Sequence, residues 1–201
     1  MTAVVEIGDE RGYGEPEPLA IDESPTIVRI AKAAVEAYVR DGKVLEDAPF
    51  AEGSLRDERH GAFVTILTAS GELRGCIGTT EATEERLLDE VVRNAIAAAS
   101  RDPRFDAVKA NELDGLHYKV DVLGESEPIV STAELDPRRY GVIVESGSLR
   151  GLLLPDLDGI DSAAEQVSIA MRKAGIRVSD EVHLQRFEVR RFEEHDAGKT
   201  N

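Results

Sequence analysis

Cysteine and tryptophan are the scarcest residues of this 201-residue sequence, which contains one cysteine, Cys76, and no tryptophan. A single cysteine forms no intrachain disulfide and supplies no multi-cysteine metal site, and such chains are typical of a reducing compartment. The four histidines, His60, His117, His183 and His195, lack the spacing of paired metal ligands. We therefore expect a cytoplasmic protein that holds no metal ion or other cofactor.

Long apolar runs and positive charge are also scarce. No uncharged apolar stretch reaches about 18 residues, and Met1–Glu10 lacks the basic start and apolar core of a signal peptide, so we expect neither membrane insertion nor secretion. Lys and Arg total 24 against 40 Asp and Glu, a formal charge of −16, with net charges of −7, −5 and −4 over residues 1–60, 61–125 and 126–201. An evenly acidic surface repels a phosphate backbone, so general nucleic-acid binding is disfavoured.

The two ends of the sequence differ from its middle. Residues 1–23 mix glycine, proline and acidic residues without periodicity, which predicts a flexible N-terminal arm. Residues 194–201 form a charged C-terminal tail. The hydrophobic patterns of one domain lie between them, over residues 24–193.

The first half of this domain has four predicted elements. Helical spacing of apolar residues begins at Ser24-Pro25, and two apolar β runs around a Ser-Gly turn predict a hairpin over 62–77. A second helical pattern near 83–100 must end before Asp102-Pro103, because proline disfavours helical geometry in the preceding residue. Alternating side chains over 117–122 then predict a strand.

A hexapeptide occurs twice in the domain. SGELRG at residues 70–75 recurs 76 positions later as SGSLRG at 146–151, and each copy lies between two apolar β runs and precedes a helix and a strand. The helix that follows the second hexapeptide has a capping box at Ser162 and Glu165. Apolar and polar residues alternate irregularly over 183–192, which predicts a bulged strand. We therefore predict an α+β fold, an antiparallel sheet with flanking helices, built from duplicated hairpin-helix-strand units at about 61–125 and 140–193.

Cys76 follows the first hexapeptide and is the clearest candidate for chemistry. Its neighbours in sequence would let a ligand approach and would favour the thiolate: Gly75, Gly78 and Arg74. The alternative is that Cys76 is a small buried apolar residue, as free cysteines usually are, because its counterpart in the second copy is the inert Leu152. His60 and His117 fall in the same half of the domain, but neither is identified as a base for the thiol.

The block Asp102–Phe105 (DPRF) is a second candidate site. Aspartate before proline caps a short helical turn, which would leave Arg104 as a fixed cation for an anionic ligand. The alternative is a helix stop with a solvated arginine. Motifs for nucleotide binding and serine hydrolysis are absent, since the sequence has no Walker loop, GxGxxG or GxSxG.

These blocks together resemble the AMMECR1 domain family. The resemblance rests on Gly61–Gly78 (GAFVTILTASGELRGCIG), on DPRF with Glu112-Leu113, and on Arg150–Pro155 (RGLLLP) with Lys173–Gly175, and it covers about residues 24–193. It is nearest to the prokaryotic branch that is often encoded beside a Memo-like protein and a radical-SAM protein. It implies a cleft beside LRGCIG, and the family motif falls on Cys76, the candidate nucleophile named above, and on these ligand-binding candidates: Arg74, Gly75, Gly78, Asp102, Arg104, Glu112 and Arg150.

Three functions are compatible with these residues. We favour a cytoplasmic accessory or interaction component that acts with Memo-like and radical-SAM proteins, because no complete catalytic set is visible. The first alternative is a small-molecule enzyme in which Cys76 is the nucleophile and arginines bind an anionic substrate. The second is a nucleic-acid-associated protein, which the charge of −16 disfavours.

Overall fold

The computed structural model describes residues 24–46 and 57–194, so the predicted arm and residues 195–201 of the predicted tail lie outside the described residues. Three helices are described: α1 (Ser24–Asp41), α2 (Leu87–Ser100) and α3 (Ala163–Ala174). Eight strands are described: β1 (Ala62–Leu67), β2 (Leu73–Gly78), β3 (His117–Leu123), β4 (Glu127–Ile129), β5 (Gly141–Ser146), β6 (Leu149–Leu153), β7 (His183–Phe187) and β8 (Val189–Glu193). The predicted α+β class with antiparallel strands and flanking helices is confirmed.

The strands form two four-stranded sheets where the sequence pattern predicts one. Their orders are β2-β1-β3-β8 and β6-β5-β7-β4. In each sheet the first hairpin strand pairs with its hairpin partner and with the strand after the helix, β1 with β2 and β3, and β5 with β6 and β7. The duplicated hairpin-helix-strand unit is therefore present in both halves, while its boundaries in the sequence stay a prediction.

The two units exchange their last strands. After β3 the chain enters the second sheet, where β4 pairs with β7, and after β7 it returns to the first sheet, where β8 pairs with β3. The return occurs at Glu188, between the ends of β7 and β8. The prediction of one bulged strand over 183–192 is therefore wrong. A strand that switches sheets bends at the corner, and this bend interrupts the alternation of its side chains.

Helix α2 begins later than its hydrophobic pattern predicts. The pattern starts near Thr83, but the backbone amides of Thr83 and Glu84 donate to the carboxylate of Glu90 at 2.7 and 2.8 Å. These bonds hold the segment before Leu87 outside the helix. Helix α3 begins after Ser162 as predicted, and the Ser162 hydroxyl accepts a bond from the amide of Glu165, which is one of the two bonds of the predicted capping box. The helix ends at Gly175, with φ of 72°.

Helices cover one face of each sheet. The first sheet packs beneath α1 and α2 around a large apolar core that includes Ile30, Val35, Val64, Ile66, Val91, Ala95, Val120 and Phe192. The second sheet packs beneath α3 around a smaller one that includes Val142, Val144, Leu153, Val167 and Ala170. A third apolar cluster joins the opposite faces of the two sheets and includes Phe63, Leu123, Ile143, Leu152, Phe187 and Val189.

The glycine that ends each hexapeptide lies against a helix backbone. A Cβ atom on Gly75 would lie closer than 3.0 Å to the carbonyl oxygen of Ala98 in α2, and one on Gly151 would meet Ala170 of α3 in the same way. Real Cβ atoms do not tolerate such distances from backbone atoms. The hexapeptide therefore recurs because both hairpins need a residue without a side chain where the helix crosses them.

Replacing either of these glycines by alanine is expected to lower the free energy of unfolding by about 2 kcal/mol or more, because the helix must move away from its sheet. Urea denaturation of Gly75→Ala and Gly151→Ala measures the loss. Gly115→Ala is the control, since a Cβ there meets no atom within 4 Å, and it should change stability by less than about 0.5 kcal/mol. Equal effects of all three substitutions would contradict this packing role.

Candidate functional site

The thiol of Cys76 is half-buried on β2. Its Sγ atom accepts a hydrogen bond from the Thr65 hydroxyl of β1, at 3.3 Å. Burial raises the pKa of Cys76 above its ordinary value, and the bond from Thr65 and the charge of Arg104 offset only part of this effect. Burial thus disfavours the thiolate that the first interpretation of the sequence requires, and it agrees with the alternative of a partly buried, inert cysteine.

The DPRF block closes the outer edge of β2 at Cys76. The amide of Cys76 donates to Asp102 Oδ2 at 2.9 Å, and the guanidinium of Arg104 lies 3.4 Å from the carbonyl oxygen of Cys76. The Asp102 carboxylate is almost fully buried and pairs with Arg104 at 2.7 Å. Hydrogen bonds from Arg104 and from the Cys76 amide outweigh burial and hold the pKa of Asp102 far below its usual range. The two side chains thus take the place of a neighbouring strand. Arg104 is held in place by Asp102, which compensates its charge.

The other predicted arginines are also paired with carboxylates. Arg74 binds Glu112 through two nitrogens, at 2.8 and 3.1 Å, and this pairing lowers the pKa of Glu112. Arg150 pairs with Glu81 at 2.7 Å and with Glu145 at 3.1 Å. The structure therefore brings Asp102 and Arg104 to Cys76, whereas Arg74 with Glu112 and Arg150 with its two glutamates form separate pairs.

The glycines around Cys76 are accounted for by packing. Gly75 admits the backbone of α2, and a Cβ atom on Gly78 would overlap the ring of Phe63. Neither observation requires a ligand, so a role for these glycines in a cleft stays a prediction.

Two of the histidines, His60 and His117, lie near glutamates. His60 Nε2 lies 3.7 Å from Glu58, and His117 Nδ1 lies 3.5 Å from Glu194. Over residues 24–46 and 57–194, no three His, Cys, Asp or Glu side chains are grouped so that they would hold a metal ion. The same ranges contain no helix that is both long and apolar enough to cross a bilayer.

Four polar side chains on the same sheet as Cys76 are not among the site residues predicted from the sequence: Thr65, Lys119, Asp121 and Arg191. The register places Thr65 beside Cys76 and beside Lys119 of β3, and it places Asp121 of β3 beside Arg191 of β8. Lys119 pairs with Glu193 at 2.7 Å, and Asp121, which is almost fully buried, pairs with Arg191 at 2.7 Å. Burial raises the pKa of Asp121. Polar residues alternate with apolar ones along β3, and this pattern in the sequence would have pointed to Lys119 and Asp121.

The family model described as AMMECR1 matches residues 28–195 of this chain. The chain belongs to the AMMECR1 family. An AMMECR1 relative from Thermotoga maritima is 48% identical over 173 residues, which cover 86% of this chain and 99% of that protein. The protein CA_C1420 of Clostridium acetobutylicum is 39% identical over 173 residues, but these make up only 36% of its length.

The fold of this AMMECR1 protein is also found in a crystal structure. The uncharacterized protein PH0010 from Pyrococcus horikoshii superposes with a TM-score of 0.79 at 32% sequence identity. The match covers 87% of this chain and 92% of that one. The fold predicted from the resemblance to the AMMECR1 family is therefore confirmed.

Replacing Asp102 by asparagine is expected to cost about 2 kcal/mol at neutral pH, because a buried carboxylate that holds the Cys76 amide and Arg104 loses its charge. The low pKa of Asp102 means that its contribution is complete above about pH 4 and is lost as the pH falls further. The difference in unfolding free energy between the wild type and Asp102→Asn should therefore shrink below that pH. Urea denaturation at several pH values measures it, Asp180→Asn at an exposed pair is the control, and a difference independent of pH would contradict the assignment.

The alkylation of Cys76 by iodoacetamide should have a pH midpoint above 9.0 in the native protein, because burial disfavours the thiolate. Thr65→Val should move the midpoint higher, since the lost hydroxyl bond favours the thiolate. Mass spectrometry follows the reaction without ambiguity, as the chain has one cysteine. The unfolded protein is the control and should return the ordinary value, whereas a native midpoint well below 9.0 would show an activated thiol.

Proposed function

We propose that this AMMECR1 protein is an accessory component that acts by docking onto a partner protein of the Memo-like or radical-SAM type. One observation carries the proposal: the matching region makes up 36% of the Clostridium acetobutylicum relative, so there it belongs to a longer polypeptide. A region that is joined to further polypeptide in one organism is expected to work beside another protein in an organism where it makes up nearly the whole chain, as in the Thermotoga maritima relative.

The contacts around Cys76 support docking over catalysis on an anionic substrate. Each arginine proposed to bind such a substrate is already paired with a carboxylate: Arg74 with Glu112, Arg104 with Asp102, and Arg150 with Glu81 and Glu145. An anion would have to displace these partners and leave them unpaired, which costs free energy. The protonated thiol and the absence of a histidine at hydrogen-bond distance among the described residues point the same way.

The two hairpin ends supply the docking surface in this proposal. Leu73 and Leu149 occupy the same position of the two hexapeptides and are 39% and 42% exposed. Each begins an edge strand, β2 or β6. Both repeats keep a partly exposed leucine at this position, and a partner that covers the hairpin ends would bury the rest of these side chains.

Binding to a purified Memo-like protein and a purified radical-SAM protein of the source organism tests the proposal. We expect isothermal titration to give a dissociation constant of about 10 μM or lower with at least one of them. Leu73→Lys and Leu149→Lys should each weaken binding about tenfold, because a lysine at the centre of an interface remains desolvated and unpaired.

The matched control is Val178→Lys, which places the same charge at a 95% exposed valine away from the hairpins and should leave the affinity unchanged. The proposal fails if neither partner binds at about 100 μM, the limit of a weak specific interaction. If binding occurs but the control weakens it as much as the two leucine variants do, the hairpin ends are not the docking surface.

A further inference from the structure

A cavity of about 270 Å³ lies at one end of the first sheet, beside the turn between β1 and β2. Residues 67–71 form one of its walls. The adjoining ends of β3 and β8 form the other, with these residues: His117, Tyr118, Lys119, Glu193 and Glu194. Sites for drug-sized ligands measure about 300–1,000 Å³, so this cavity suits a smaller molecule.

Two of the lining residues carry a buried polar atom that has no hydrogen-bond partner within residues 24–46 and 57–194. These atoms are the hydroxyl oxygen of Tyr118, a residue that is only 1% exposed, and Oε2 of Glu194. Oε2 lies 3.5 Å from Nδ1 of His117, which is longer than an ordinary hydrogen bond. Buried polar groups in proteins nearly always have a partner, because leaving one unpaired costs free energy. Both atoms therefore point to a group that the cavity receives.

Packing alone does not require the hydroxyl of Tyr118. The register places Tyr118 beside Ile66 in the first sheet and Leu184 beside Val144 at the equivalent position of the second. Leu184 packs against the apolar core beneath α3. The fold thus accepts an apolar side chain at this position, so the reason for the hydroxyl lies in what it contacts.

The charges around these two atoms favour a cation. Lys32 of α1 binds Oε1 of Glu194 at 2.9 Å and leaves Oε2 without a bond. Glu36 follows Lys32 by four residues, on the same side of the helix. Burial raises the pKa of Tyr118, and the negative charges of Glu36 and Glu194 raise it further. Two carboxylates thus act on the hydroxyl, and Lys32 compensates one of them.

An anion is disfavoured at this cavity. Lys119, the lysine in its lining, pairs with Glu193 at 2.7 Å. An anionic ligand would have to take Lys119 from this carboxylate and leave it without its counter-charge. An ammonium group has three N–H donors and displaces no existing pair.

We propose that the cavity binds a small primary alkylamine in its ammonium form, with Glu194 Oε2 and the hydroxyl oxygen of Tyr118 as the acceptors of its N–H groups. Leu67 and Ala69 in the opposite wall offer contacts to a short alkyl chain. The ligand is a small molecule, so the inference goes beyond partner docking and is tested without any partner.

Titration of the full chain with n-butylamine at neutral pH and constant ionic strength tests the proposal, with two-dimensional NMR of the backbone amides as the readout. We expect a dissociation constant of about 1 mM and shifts concentrated at residues 67–71 and 117–119. 1-Butanol has the same chain without the charge and should bind about tenfold more weakly or worse. Equal affinities for the two probes, or shifts spread over the whole surface, would overturn the proposal.

Tyr118→Phe removes the hydroxyl and leaves the net charge unchanged. It should weaken the binding of n-butylamine about fivefold, because one acceptor is lost. The urea midpoint of the ligand-free variant should not fall, since the hydroxyl has no bond to lose. An unchanged affinity contradicts the proposal, and a lower midpoint does so as well, because it would show that the hydroxyl has a partner within the chain.

Glu194→Gln should weaken the binding of n-butylamine about tenfold or more, since the charged acceptor is lost. The matched control is Glu181→Gln, the same substitution at an exposed residue in the other half, which should leave the affinity within about twofold. Equal weakening by both would mean attraction to the acidic surface in general and no site. If circular dichroism shows that Glu194→Gln does not fold, Tyr118→Phe decides. These outcomes are independent of the partner titrations, because the isolated chain is used.

Discussion

The close approach of a helix backbone to a strand glycine is the contact on which the rest of the structure depends, and it occurs in both halves. Because Gly75 has no side chain, the backbone of α2 at Ala98 lies directly on β2, and the chain leaves this helix beside the outer edge of that strand. Asp102 lies two residues after the helix ends, and its carboxylate is thereby placed to accept a hydrogen bond from the amide of Cys76. A side chain thus closes the edge of the sheet, which is one way in which proteins prevent pairing with other chains.

The two halves share a topology but use their faces differently. In the first sheet Val120 and Phe192 are buried beneath α1. The same positions of the second sheet carry Arg186 and Glu127, which pair with each other, while Arg186 also stacks on the ring of Tyr140 at 4.4 Å. Among the described residues, the charged pair and the tyrosine lie at the positions that α1 covers in the first sheet. The second sheet has apolar side chains on both faces, with Val142, Val144 and Leu153 beneath α3 and Ile143, Leu152 and Phe187 on the face that meets the first sheet.

Local patterns predict much of this fold, and long-range contacts explain what they miss. Hairpins, helix ends and the repeat follow from periodicity and turn residues, which depend on neighbours in sequence. The exchange of strands at Glu188 depends on which sheet each half of the segment joins, and no local pattern contains that information. Only the residues of the candidate site that lie in local motifs could be predicted from the sequence. LRGCIG and DPRF mark Cys76 and Asp102 as candidates, but the bond from the Cys76 amide to Asp102 and the place of Asp121 beside Arg191 depend on strand register.

The repeated hexapeptide separates residues that the fold requires from residues that it does not. The glycines recur because both helices need them, and both arginines tie a hairpin to another segment through glutamate. The thiol of Cys76 and the hydroxyl of Thr65 do not recur, since the second copy folds with Leu152 and Ile143 in their places. The repeated Leu-Arg-Gly sequence therefore marks residues that build the hairpins rather than residues of a functional site. The departures from the repeat are the better guide, because folding by itself gives no reason for them.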